Sequence, residues 1–245
     1  MKTNDLNNYS GVNRNFDSYS GIVDGSLVSV LMRKVFVWMA LALAVTGITA
    51  YGVATQESLM YVIFDNRLLF WGLIIAEFGL VIGLSSGINR MSLATATLLF
   101  LAYSVINGIT LSVIFFAYSM TVIAKTFLIT AGTFGAMALV GYTTKTDLTG
   151  MGKILIMALI GIIIASVANM FFASSGFELV ISYVGVLIFV GLTAYDTQKI
   201  KQMFLAAPDA SEGVQKYAVL GALTLYLDFI NLFLYLLRIF GRSRD

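Results

Sequence analysis

Seven long apolar runs leave this chain few folds to choose from. They cover roughly residues 35–54, 68–86, 93–116, 122–142, 154–172, 179–197 and 217–240. Each approaches the ~20 residues that a helix needs to cross the hydrocarbon core of a bilayer. In lipid every backbone N–H and C=O must find a partner within the protein, so only helices and closed barrels span. The runs lack the strict alternation of barrel strands. The expected fold is an all-α polytopic membrane protein with about seven transmembrane helices. Composition agrees. The chain is 59% hydrophobic and 11% charged, against about 25% charged residues in a soluble domain.

The runs also divide the 245 residues. Residues 1–34 are polar and rich in Asn, Ser and Gly, and read as a flexible cytoplasmic N-terminal tail rather than a cleavable signal. Residues 27–32 are a place where a helix could begin at the membrane surface. Residues 35–241 form the transmembrane bundle, and 242–245 a short polar C-terminal tail. The longest connection, 198–216, carries Lys199, Lys201, Pro208, Asp209 and Glu212, and its start could prolong the sixth helix. Lys and Arg bias sets orientation. With the N-terminus inside, 10 of the 15 basic residues fall on inner segments and 5 on outer ones, three of those five at the C-terminal end. That bias predicts a cytoplasmic N-terminus. Gly132, Gly135 and Gly141 in the fourth run and Gly185 and Gly191 in the sixth predict close helix packing, which membrane bundles achieve through small residues.

Several chemistries are excluded. The net charge of +2 argues for no nucleic-acid partner. With no cysteine and no histidine, thiol redox chemistry and zinc catalysis have no ligands, and any proton switch must use carboxylates. No HExxH, phosphate-binding loop, GxSxG or dinucleotide fingerprint is present. The two acids that matter most also lack the GxGD signature of intramembrane aspartyl proteases. The sequence predicts no enzyme, no catalytic residue and no resident cofactor.

Those two acids are Asp196, in LIFVGLTAYDTQ, and Asp228, in GALTLYLDFINLFLYLL. A carboxylate at membrane depth costs about 2.5–3.5 kcal/mol on insertion scales, so it is seldom kept for packing. Thr224, Asp228, Asn231 and Tyr235 follow spacings of four, three and four, which put them on one face of the last helix. Such a stripe belongs inside the bundle. Asp196 sits near the inner end of the sixth run, where a plain interfacial reading is available. The sharper reading pairs it with Asp228 across consecutive antiparallel helices. Two close carboxyls cannot both ionise cheaply and so share a proton, a switch without histidine. Glu77, in the middle of the second run, is a third buried acid. Arg90 reads as an inner-face anchor or as a latch for a carboxylate, while Asn107 and Asn169 read as interhelical glue.

On these residues the chain resembles the transmembrane BAX inhibitor motif family, in its bacterial Bax inhibitor-1-like branch. The matching stretches are GLTAYDTQKIK (191–201), YLDFINLFLYLLRIFG (226–241), the segment 76–112 and GYTTKTDLTGMGKIL (141–155). The resemblance implies a bundle with the last helix central. It implies a pH-sensitive calcium leak in which an aspartate pair, here Asp196 and Asp228, controls a closed and an open state. The family's acid and arginine on the second helix correspond more loosely to Glu77 and Arg90. Some bacterial relatives are instead associated with a membrane-bound AAA protease whose activity they modulate.

Two functional expectations follow. The first is an inner-membrane calcium leak gated by protonation, with membrane lipids and calcium ions as partners. Asp196 and Asp228 then form a weak calcium site, helped by Asn231, with Glu77 and Arg90 as path or latch. Calcium prefers several oxygen ligands, and so sparse a set suits passage better than storage. The second is a modulator or substrate of a membrane-bound AAA protease without transport activity, offering its N-terminal tail as the handle.

Overall fold

The computed structural model describes residues 10–207 and 211–241, with side chains from Ser26 onward. The expected tail residues 1–9, Pro208 and Asp209, and the expected C-terminal tail 242–245 lie outside the described residues. The described chain is helical throughout, without strands. Its helices are α1 (Ser10–Ala54), α2 (Glu57–Phe64), α3 (Arg67–Gly87), α4 (Leu93–Leu111), α5 (Ile114–Ala117), α6 (Met120–Thr143), α7 (Thr149–Phe172), α8 (Ser175–Leu205) and α9 (Glu212–Gly241). Seven segments are long and apolar enough to cross a membrane, namely α1 from Ser26, α3, α4 running on through α5, and α6 to α9. The seven predicted runs fall one in each.

The boundaries shift for physical reasons. The bundle reaches back into the stretch assigned to the tail, because Val28, Leu31 and Met32 are buried in the core. Helix α8 runs on to Leu205, past Asp196, because Ile200 and Phe204 are buried while Lys199 is exposed. Lys201 folds back to donate its Nζ to the Tyr142 carbonyl at 2.7 Å. The long connection between the last two spans therefore shrinks to a few residues.

Helix α9 is the axis of the bundle. In its most apolar window 67% of residues are buried, against 6% in α3 and in α7. It packs against α1, α4, α6 and α8, and Val219, Leu225, Tyr226 and Leu232 are fully enclosed. Helices α3 and α7 stand at the perimeter, α3 on α4 and α7 on α8. At one end of the bundle, side chains tie α9 to its neighbours. Glu212 Oε1 accepts from the Leu93 N–H at 2.8 Å, Lys216 donates to the Met91 carbonyl at 2.8 Å, and Tyr217 donates to Asn89 Oδ1 at 2.7 Å. Lys34 joins the same end by donating to Gln215 Oε1. These lysines act as structural ties as well as interfacial charges.

The centre is held by a polar chain across three helices. The Tyr226 hydroxyl on α9 donates to Asn107 Oδ1 on α4 at 2.8 Å and lies 2.7 Å from Thr46 Oγ1 on α1. Asn107 is thus the interhelical glue that its sequence context suggests. Asn169 is not, since its Oδ1 accepts from the Ser174 N–H just beyond its own helix. Tyr226→Phe removes one hydroxyl and takes the donor from buried Asn107 Oδ1, while Thr46 keeps its bond to the Ser104 carbonyl. The expected cost is about 1–2 kcal/mol, read as a drop of a few degrees in the thermal unfolding midpoint of detergent-solubilised protein.

The glycines divide. A Cβ on Gly141 would strike the backbone of Ala194 on α8, and one on Gly185 would lie 2.7 Å from the Tyr235 ring. Gly191 faces Leu155 as closely. Gly132 and Gly135 have open space instead, so the packing role expected of them does not hold.

Candidate functional site

A cavity of about 540 Å³ lies between α9 and the perimeter helices, and its walls draw on α3, α4, α7, α8 and α9. Three carboxyl groups reach it: Glu77 from α3, Asp196 from α8 and Asp228 from α9. The whole polar stripe of α9 also lines it, with Thr224, Asn231 and Tyr235 beside Asp228. The helical spacing that grouped these four on one face therefore corresponds to one wall.

Asp196 and Asp228 lie within hydrogen-bond reach of each other. Two ionised carboxylates are acceptors only, so such a bond needs a proton between them. Asp228 is 5% exposed. Its second oxygen, Oδ2, is buried without a hydrogen-bond partner among the described residues. Asp196 is half-buried, with Lys199 the nearby charge on its own helix. The continuation of α8 to Leu205 places Asp196 well inside a helix rather than at its end.

Glu77 is half-buried on the facing wall with Thr110 and Asn107 as polar neighbours, and its Oε1 is buried without a partner among the described residues. Asn231 donates its Nδ2 to the Leu227 carbonyl one turn back, at 2.8 Å. Arg90 is not brought to the cavity. It sits exposed in a 3-10 turn beyond α3, about 20 Å along the helix direction from Glu77. Among the described residues no ion pair joins it to a carboxylate. Nor, among them, do three or more Asp, Glu, His or Cys cluster as a metal site. The acid pair is a two-carboxyl centre.

Two features escaped the sequence reading. Tyr103 lines the cavity and stacks edge-on against Tyr226 with centroids 5.7 Å apart. Gln198, two residues beyond Asp196, clamps the α6–α7 connection. Its Oε1 accepts from the Leu148 N–H at 2.9 Å, and its Nε2 donates to the Thr146 carbonyl at 2.8 Å. In the same connection Asp147 accepts from the Thr149 N–H at 2.9 Å. Hydrogen bonds from Thr149 hold that exposed carboxyl below the usual aspartate range. The signal for Gln198 was its place inside the AYDTQ motif, in a stretch that otherwise looked like solvated helix end.

Comparison with known proteins agrees with this architecture. The model of the family described as Inhibitor of apoptosis-promoting Bax1 matches residues 28–245. The inner membrane protein YbhL of Escherichia coli strain K12 is 51% identical over 215 residues, covering 87% of this chain and 92% of that protein. A protein of Borreliella burgdorferi is 50% identical over 214 residues, with 87% and 92% covered. Protein RP147 of Rickettsia prowazekii is 45% identical over 216 residues, with 87% and 90% covered. With seven membrane-length helices wrapped on the last of them, and these matches over nearly all of its length, the chain belongs to the Bax inhibitor-1-like family of membrane proteins.

Proposed function

We propose that this protein is a pH-gated cation leak of the inner membrane, with calcium as its cargo. The observation that carries the reading is the pairing of Asp196 with Asp228 on the wall of a cavity inside the bundle. With one proton between them the carboxyls tie α8 to α9, and the path beside them stays closed. Loss of that proton leaves two like charges side by side in a low-dielectric site, where they repel strongly. Helices α8 and α9 then part at this level, and two carboxylates face the path. Glu77 across the cavity adds a third acidic group for a passing cation, and Lys199 is the basic group nearest the pair. The inner-membrane assignment follows the name of the Escherichia coli relative.

Purified protein in liposomes loaded with a calcium indicator tests this. Calcium entry, measured across a pH series, is expected to exceed that of empty liposomes and to rise with pH as the shared proton is lost. Rates equal to those of empty liposomes throughout would remove the leak and return the reading to a modulator or substrate of a membrane-bound protease.

A further inference from the structure

The cavity opens sideways. Phe78 on α3 and Ile156 and Ile163 on α7 line it, yet they are 68%, 42% and 53% exposed on the perimeter of the bundle. Helices α3 and α7 flank this opening and have almost no contact with each other. In a bilayer the gap between them faces acyl chains. A path for ions alone gains nothing from an apolar side entrance.

Behind that entrance the chemistry changes. Glu77 Oε1 and Asp228 Oδ2 are both buried acceptors without partners among the described residues. The lining includes no Lys or Arg. Lys199, the basic group near Asp196, is exposed away from the core. The Tyr103 ring adds a face that attracts cations, whereas the Tyr235 ring is stacked on Phe189 and already has Arg238 over it, 5.7 Å from its centroid. The volume, about 540 Å³, lies within the range of small-molecule sites, about 300–1,000 Å³.

We propose that this lateral cavity binds a lipophilic ammonium, an amine with an alkyl or aryl tail. The tail lies between α3 and α7 against Phe78 and Ile163. The ammonium reaches the carboxyl groups, where its three N–H donors suit acceptors that the protein leaves unpaired. A neutral alcohol offers a single O–H donor and no charge, and an anionic headgroup is repelled by the carboxyl groups. The inference goes beyond the leak: it uses the same carboxyl groups but requires no ion to flow.

The test uses the full chain in phosphatidylcholine nanodiscs and two photoreactive probes, a diazirine-bearing dodecylamine and the matching dodecanol. Crosslinks are mapped by peptide mass spectrometry. The amine is expected to label residues 78–81 or 156–163 about tenfold more than the alcohol does, the size expected of a desolvated charge pair. Asp228→Asn and Glu77→Gln should each pull that excess toward the alcohol level. Leu159→Trp narrows the entrance without touching a carboxyl and should suppress labelling by both probes, so the test does not hang on one variant's folding. Equal labelling by amine and alcohol would mean an apolar crevice filled by lipid and would overturn the proposal. So would amine labelling as strong around exposed Ile48 and Leu128, or labelling undiminished in both carboxyl variants. Because the readout is independent of flux, a protein that passes no calcium still tests the site, and flux without selective labelling removes the site and leaves the leak.

Discussion

Gly141→Ala is expected to destabilise the protein by about 2–3 kcal/mol, the upper part of the range for overpacking a well-filled contact. The added Cβ would overlap the carbonyl oxygen, carbonyl carbon and Cα of Ala194. All three are backbone atoms of α8, and none can rotate aside. Helices α6 and α8 must separate instead, and both pack against α9. The same displacement strains two neighbouring ties: Lys201 Nζ to the Tyr142 carbonyl, and the Gln198 clamp on Thr146 and Leu148. Gly132→Ala and Gly135→Ala supply the internal comparison. They lie on the same helix with nothing near a Cβ, so the gain in helix propensity, up to about 1 kcal/mol, stands unopposed. Thermal unfolding followed by the fluorescence of Trp38 and Trp71 should show Gly141→Ala several degrees below the parent and the other two at or above it. A midpoint for Gly141→Ala matching that of Gly135→Ala would mean that the α6–α8 contact is looser than its geometry implies.

That contrast between glycines on one helix marks where sequence stops informing. Small residues in apolar runs announce that some helices approach closely, but which face meets a neighbour is a tertiary fact. The spans themselves were legible because a bilayer imposes length and polarity together. Their ends were not, because hydropathy falls at Lys199 and Lys201 while α8 continues, carried by buried Ile200 and Phe204. Helices α2 and α5 are too short for any spanning criterion. At the site, Asp228 and its stripe could be read from helical spacing and from the cost of a buried charge. Tyr226 could not. It stands two residues from Asp228 and so projects to another side of α9, where Thr46 and Asn107 meet it. Arg90 looked suited to a latch by charge alone, and the rise along α3 puts it too far from Glu77.

Asp228→Asn is expected to flatten the pH dependence of calcium entry and hold the rate near its low-pH level. In the proposed leak the gate turns on one shared proton. A single proton is worth about 1.4 kcal/mol per pH unit, so the open fraction can change by up to about tenfold per unit. The sign follows from the pair. The protonated form ties Asp196 to Asp228, so entry rises as pH rises and the proton leaves. Asparagine keeps the size of aspartate and supplies an N–H donor that no change of pH removes. The introduced amide can then donate to Asp196 whether or not that carboxyl is ionised, α8 and α9 stay joined, and the like-charge repulsion that opens the path never arises. Glu77→Gln, across the cavity and outside the pair, should lower entry by a smaller factor and leave the slope against pH in place. Entry rates measured in liposomes at matched protein density separate the two variants. An Asp228→Asn profile that rises as steeply as the parent's would show that the pair is not the gate. The two carboxyls would then be a hydrogen-bonded seam between α8 and α9, and Glu77, with its unpaired oxygen on the facing wall, would become the acid to test next.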